Sequence, residues 1–208
     1  MSGGRRFRGR IAGVGSSSGV RVVVGWWPES PFGEFADAMV ETASGHRVLL
    51  APTDEVADLV STTYTFDEVR LEPFAVTAAA GTAGSSGRWA VRSPSLTLDL
   101  DVGGRTLLGA LLRRVPRPLA ESPVFATLAD PVARVVLRGV RTRGVARAGR
   151  REYYGATDVR SVSWVAGRFD GVELGRLAPV EPPCRFGFSS TPRRPSVTSV
   201  TTTITDLG

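Results

Sequence analysis

Phe7-Arg8-Gly9-Arg10-Ile11-Ala12-Gly13-Val14 and Val20-Arg21-Val22-Val23-Val24-Gly25-Trp26-Trp27 flank the small, flexible Gly15-Ser16-Ser17-Ser18-Gly19. Both flanks are rich in β-branched and aromatic residues, and the middle is a turn composition, so the stretch predicts a β-hairpin. Gly15-Ser16-Ser17-Ser18-Gly19 also matches the G-x-S-x-G pattern of a nucleophilic serine. That motif needs a helix after the serine, whereas Val20 to Val24 reads as a strand, so the turn reading prevails. Gly13, Gly15 and Gly19 likewise have neither the spacing nor the following helix of a dinucleotide site.

Outward from the hairpin, Pro28 and Pro31 impose a turn. Phe35, Asp37, Met39 and Glu41 then alternate with Ala36, Ala38 and Val40 at the two-residue period of a strand. Ser44-Gly45 closes that strand, and His46 to Leu50 begins another. Thr53 before Asp54 and Glu55 is an N-cap with acids in the first turn, and Val56, Leu59 and Val60 form an apolar stripe, predicting a short helix over 53–62. Strands are expected at 68–76, 87–92, 96–102, 159–169, 184–188 and 197–205. Between them, Leu107, Leu108, Leu111, Leu112 and Val115 have helical spacing and four prolines cut the remainder, giving a helical and loop insert over 105–138.

The 208 residues, 42% hydrophobic and 22% charged, suffice for one core. The expected fold is mainly β (α+β): a single antiparallel β-barrel-like domain over 1–208. Closure is favoured because it removes exposed strand edges.

The formal charge is +6, and all 26 basic residues are arginine, with no lysine, asparagine or glutamine. GC-rich codon usage accounts for part of that bias, so basicity alone is a weak pointer to a polyanion. Residues 26–72 hold ten acids against two arginines, whereas 105–151 hold eleven arginines against two acids. The first explanation is that the two segments pack together; the second is an anion-attracting rim including Arg141 and Arg143. Nucleic acid is disfavoured, since base reading leans on amide side chains and stacking aromatics, and only Tyr153 and Tyr154 are adjacent here.

The single cysteine, Cys184, excludes an intramolecular disulfide and fits a reducing compartment. The glycine- and serine-broken N-terminus makes a poor secretion signal, and no run reaches the length that spans a bilayer. A cytoplasmic protein is expected, with membrane contact confined to a surface. One histidine and one cysteine disfavour a metal site, and no cofactor is expected.

His46 is the one side chain titrating near neutrality by default. Asp37 and Glu41 share one strand face while Glu34 lies on the other, so whichever face points inward carries a carboxylate in need of a partner. Glu34, Asp37 and His46 are the candidate acid-base groups. Together with Arg141, Arg143, Tyr153 and Tyr154 they form the candidate ligand set.

Three stretches resemble the acetoacetate decarboxylase-like family: Ser30-Pro31-Phe32-Gly33-Glu34, Gly45-His46-Arg47-Val48-Leu49-Leu50-Ala51-Pro52 and Thr53-Asp54-Glu55-Val56-Ala57, about thirty residues in all. The resemblance implies a cone-like β-barrel with an internal pocket and Glu34 as its pocket glutamate. That family's decarboxylases form a Schiff base on a lysine after the helix, where Thr65-Phe66-Asp67-Glu68 stands here. Lacking any lysine, this chain is excluded from that chemistry. A lipocalin-like barrel accounts for the strand count equally well.

Three functions follow as expectations. The first is an interior site for an apolar or amphipathic small molecule with an anionic group, held with arginine assistance. The second is a lysine-independent enzyme using Glu34, Asp37 or His46. The third is peripheral attachment to anionic lipid or nucleic acid through the arginine-rich segment. The oligomeric state is left open.

Overall fold

The computed structural model describes residues 5–79, 87–116, 119, 143–146, 150–187 and 191–206. The elements in chain order are β1 (Arg5–Ser16), β2 (Arg21–Glu29), β3 (Phe35–Glu41), β4 (Arg47–Ala51), α1 (Asp54–Thr63), β5 (Glu68–Leu71), β6 (Ala75–Ala79), β7 (Arg88–Arg92) and β8 (Leu96–Arg105). There follow α2 (Leu107–Leu112), β9 (Arg143–Ala146), β10 (Arg150–Phe169), β11 (Val172–Glu173), β12 (Leu177–Ala178) and β13 (Ser196–Asp206). The protein is mainly β, as expected, and its strands form one sheet in the order β5-β4-β3-β2-β1-β13-β10-β8-β7-β6, with β9, β11 and β12 paired at its flanks. The sheet is strongly curled into a half-barrel.

Within this expected barrel-like fold, two features differ from a fully closed, fully antiparallel barrel. Among the described residues the end strands β5 and β6 do not pair with each other. And β4 pairs with β5 in parallel, Val48 opposite Glu68 through Ala51 opposite Leu71. A parallel neighbour needs a crossover, and α1 supplies it. The open edges are short strands of four and five residues, which limits the backbone they offer to other chains.

Local signals account for most elements. Thr53 caps α1, its hydroxyl accepting from the Val56 N–H at 3.4 Å, and Val56, Ala57 and Leu59 face inward. Thr106 caps α2 in the same way through Gly109, whose missing side chain lets the helix approach the Val159 carbonyl. Leu107 and Leu111, whose spacing predicts a helix here, lie on it but are exposed. The strand expected from Cys184 does not form: residues 184–187 are irregular. Their main chain is instead used by the Glu41 carboxylate, which accepts from the Arg185 N–H, and by the Thr65 N–H, which donates to Phe186.

The sheet has two apolar faces. The curled-in face is filled: Val14, Val22, Val24, Val40 and Leu50 pack against Trp89, Val91, Leu98, Leu100 and Val165. The residues between them in sequence, such as Ile11, Val23 and Met39, lie on the opposite face. That second face is covered by α1 and by the segment carrying Val180, Cys184 and Phe186, in three smaller clusters. An empty space remains there, at the level of Asp37.

Candidate functional site

The cavity, about 190 Å³, lies on this second face. Its floor follows directly from strand register. One row crosses four strands as Asp37, Gly25, Ile11 and Thr198, and the next as Met39, Val23, Gly13 and Ser196. Phe35 and Trp27 form the adjoining pair. Leu59, Val60 and Thr63 of α1, with Tyr64, Phe186 and Thr191, complete the walls.

Glycines in the floor set the room available. A Cβ on Gly13 would lie within 2.7 Å of three Thr191 side-chain atoms, so its absence lets that threonine seat on the sheet. A Cβ on Gly25 would lie 2.5 Å from both Asp37 Oδ1 and Trp27 Nε1. Those two atoms form a hydrogen bond across the glycine, the indole donating to the carboxyl at 3.1 Å. Gly25→Ala therefore cannot be accommodated without breaking this contact. The expected result is a loss of about 1–3 kcal/mol, the range for overpacking, together with an altered NMR resonance for the Trp27 indole proton. An unchanged resonance and unchanged stability would refute the tight geometry.

Asp37 is buried, and removal from water pushes its carboxyl up to about 7, the Trp27 hydrogen bond offsetting only part of the rise. No arginine or histidine stands among the described residues of the wall. The group is thus a carboxyl poised between its two protonation states near neutrality, in a mainly apolar, partly open cavity. Three further polar atoms, the hydroxyls of Thr191, Ser196 and Thr202, are buried at the wall with no hydrogen-bond partner among the described residues. Tyr64 and Tyr154, also at the wall, bond to each other through their hydroxyls at 2.5 Å.

The sequence-predicted residues divide sharply. Asp37 and Tyr154 line the cavity. Glu34 is exposed and accepts from the Trp26 indole at 3.1 Å, outside the cavity that the resemblance would have assigned to it. His46 is half-exposed at the surface and meets Glu68 at 3.1 Å, in a network where Arg70, and then His46, hold the Glu68 carboxyl well below its ordinary range. Tyr153, the neighbour of Tyr154, does not line the cavity. Arg143 is on β9 by its backbone, and Arg141 lies outside the described residues. So does most of the arginine-rich segment. Three of the acids of residues 26–72 pair with arginines outside residues 105–151: Glu29 with Arg8, Asp67 with Arg47, and Glu41 with Arg21 and Arg185.

Sequence reasoning missed Trp27, Tyr64, Thr191, Ser196 and Thr202. Trp27 was within reach of it, since two residues N-terminal to it on the same strand face stands a glycine opposite Asp37. The hydroxyl residues gave no signal, because only the folded chain brings them beside that strand. Cys184, also at the wall, has its thiol pushed up to about 12, mainly by burial, and behaves as a packed apolar group.

No protein-family model matches this chain, and neither a curated protein nor a solved structure matches it.

Proposed function

We propose that this protein binds a small, largely apolar molecule in the cavity between the second sheet face and α1. The observation that carries the reading is a partly open space of about 190 Å³ with a buried, ionisable carboxyl at its floor. Close packing is the rule in protein interiors, and an apolar void of about 150 Å³ is already large enough to take up benzene. The site differs from the sequence expectation in place and polarity. It is on the face opposite the filled curl, and of the expected ligand set its described wall contains Asp37 and Tyr154 but no arginine, so the anionic group is not retained in the proposal.

Toluene tests the reading, being small, neutral and free of polar groups. At about ten times its dissociation constant it should raise the melting temperature by about 3–5 °C and shift the Trp27 indole resonance. Ala156→Phe, which places a ring in the cavity from β10 without removing a polar group, should abolish both responses. If toluene moves neither observable in the unsubstituted protein, the cavity is closed to ligands and the proposal fails.

A catalytic reading is favoured by one observation only, the Asp37 carboxyl near 7, a value suited to proton transfer at neutral pH. Glu34 and His46 take no part in it, because both lie outside the cavity.

A further inference from the structure

We propose that the ligand is a small organic ammonium ion: one ring bearing a short amine arm, with the ammonium paired to Asp37 beside the rings of Trp27, Phe35 and Phe7. The inference rests on the cavity reading above and deepens it.

Charge is the first argument. Asp37 brings negative charge to a cavity whose described wall supplies no cationic side chain. Buried carboxylates are ordinarily paired, because an unpaired one forfeits its hydration without compensation. A protonated amine supplies the missing charge, whereas a carboxylate or phosphate would place like charges together.

Hydrogen-bond capacity is the second. Oδ1 of Asp37 accepts from the Trp27 indole, and among the described residues the carboxyl has no other partner. An ionised carboxylate accepts several hydrogen bonds, and an ammonium donates three. The unpartnered hydroxyls of Thr191, Ser196 and Thr202 add acceptors elsewhere on the wall.

The aromatic surroundings are the third. Phe7, Trp27 and Phe35 form a cluster with ring centroids 6.2–6.5 Å apart at the end of the cavity where Trp27 holds Asp37. Electron-rich ring faces attract organic cations, and an aromatic group beside a carboxylate is a recurrent means of holding them in a dry site. A neutral apolar ligand would make use of the rings but would leave the carboxyl unexplained. The volume admits one ring with a short substituent.

Burial has already raised the Asp37 carboxyl to about 7, so the amine must select the ionised form. An alkylamine stays protonated well above that value. Affinity should therefore be highest above pH 7 and fall by up to about tenfold for each pH unit below it.

Calorimetric titration of the full-length protein with benzylamine, benzyl alcohol and benzoate tests this. At pH 8 benzylamine should bind at least about tenfold more tightly than benzyl alcohol, and benzoate should not bind. The preference should collapse at pH 5.5 and in Asp37→Asn. If that variant does not fold, the pH series on the unsubstituted protein decides alone. Equal or tighter binding of the alcohol, detectable binding of benzoate, or a preference surviving at pH 5.5 overturns the ammonium assignment. Where toluene still binds, such a result leaves the cavity reading standing. Where none of the four compounds binds, both readings fall together.

Discussion

Asp37→Asn should make this protein more stable at pH 8 by about 2–4 kcal/mol while changing little at pH 4. The reasoning follows the proton. In the folded state burial raises the carboxyl from 3.8 to about 7, so between these values the native state holds a proton that the unfolded chain has released. Where the native state binds more protons, stability falls as pH rises. The loss thus begins near the unfolded value and is complete above about 7. About three pH units at 1.36 kcal/mol each amount to about 4 kcal/mol, reduced by whatever the relaxed site recovers.

Asparagine keeps the oxygen that accepts from Trp27 but does not ionise. Chemical denaturation from pH 4 to pH 9 reads the difference: the two curves should nearly coincide at the acid end and separate steadily between about pH 4 and about pH 7. Parallel curves would mean that the Asp37 carboxyl ionises in the fold as it does in water. A group that costs stability at neutral pH, when a neutral isostere fits the same space, is typical of a residue retained for binding or chemistry.

Glu41→Ala is expected to act in the opposite direction, lowering stability by about 3–5 kcal/mol. Glu41 is fully buried on the same face of β3 as Asp37, but its surroundings are wholly different. Its carboxylate accepts from the Arg185 N–H at 2.7 Å and from the Arg185 guanidinium at 3.0 Å, and it pairs with Arg21 at 3.1 Å. Arg21 is itself buried, and its remaining acceptors are the carbonyls of Thr42 and Pro182 at 3.2 and 3.4 Å. Deleting Glu41 leaves that guanidinium without a counter-charge, the costly half of breaking a buried pair.

It also frees the irregular chain around Arg185, which presents Cys184 and Phe186 to the cavity wall. A urea midpoint lowered by the corresponding amount, with a milder effect in Glu41→Gln, is the expected result. A change below about 1 kcal/mol would show that water replaces the carboxylate at Arg21. Two carboxylates four residues apart on one strand thus differ in their surroundings: one clamps the wall, and the other is the group that the proposed ligand would meet.

The hairpin, β3, β4, α1, β7 and β13 were legible because each rests on a local pattern: alternation, an N-cap with acids after it, or a turn composition. The first half of β10 was not, since Arg150 to Asp158 mixes charged, polar and glycine residues without alternation of hydrophobicity. Its partners β13 and β9 hold it in the sheet instead. The parallel β4–β5 pair escaped for a related reason: strand direction is set by the connection and not by strand composition.

By itself the sequence determined the mainly β class, the Thr53 cap of α1, the absence of any lysine-based chemistry, and the fact that Asp37 and Glu41 share a strand face. These depend on residue type and on the two-residue period, both of which are local. Tertiary structure alone decided which face of that strand is filled and which is hollow, that Arg21 and Arg185 reach Glu41 while no cation reaches Asp37 among the described residues, and that Thr191, Ser196 and Thr202 stand at the same cavity. Burial and pairing are properties of the surroundings, and those surroundings combine near residues such as Arg21 and Trp27 with others, such as Arg185 and Thr191, more than a hundred positions away in the chain.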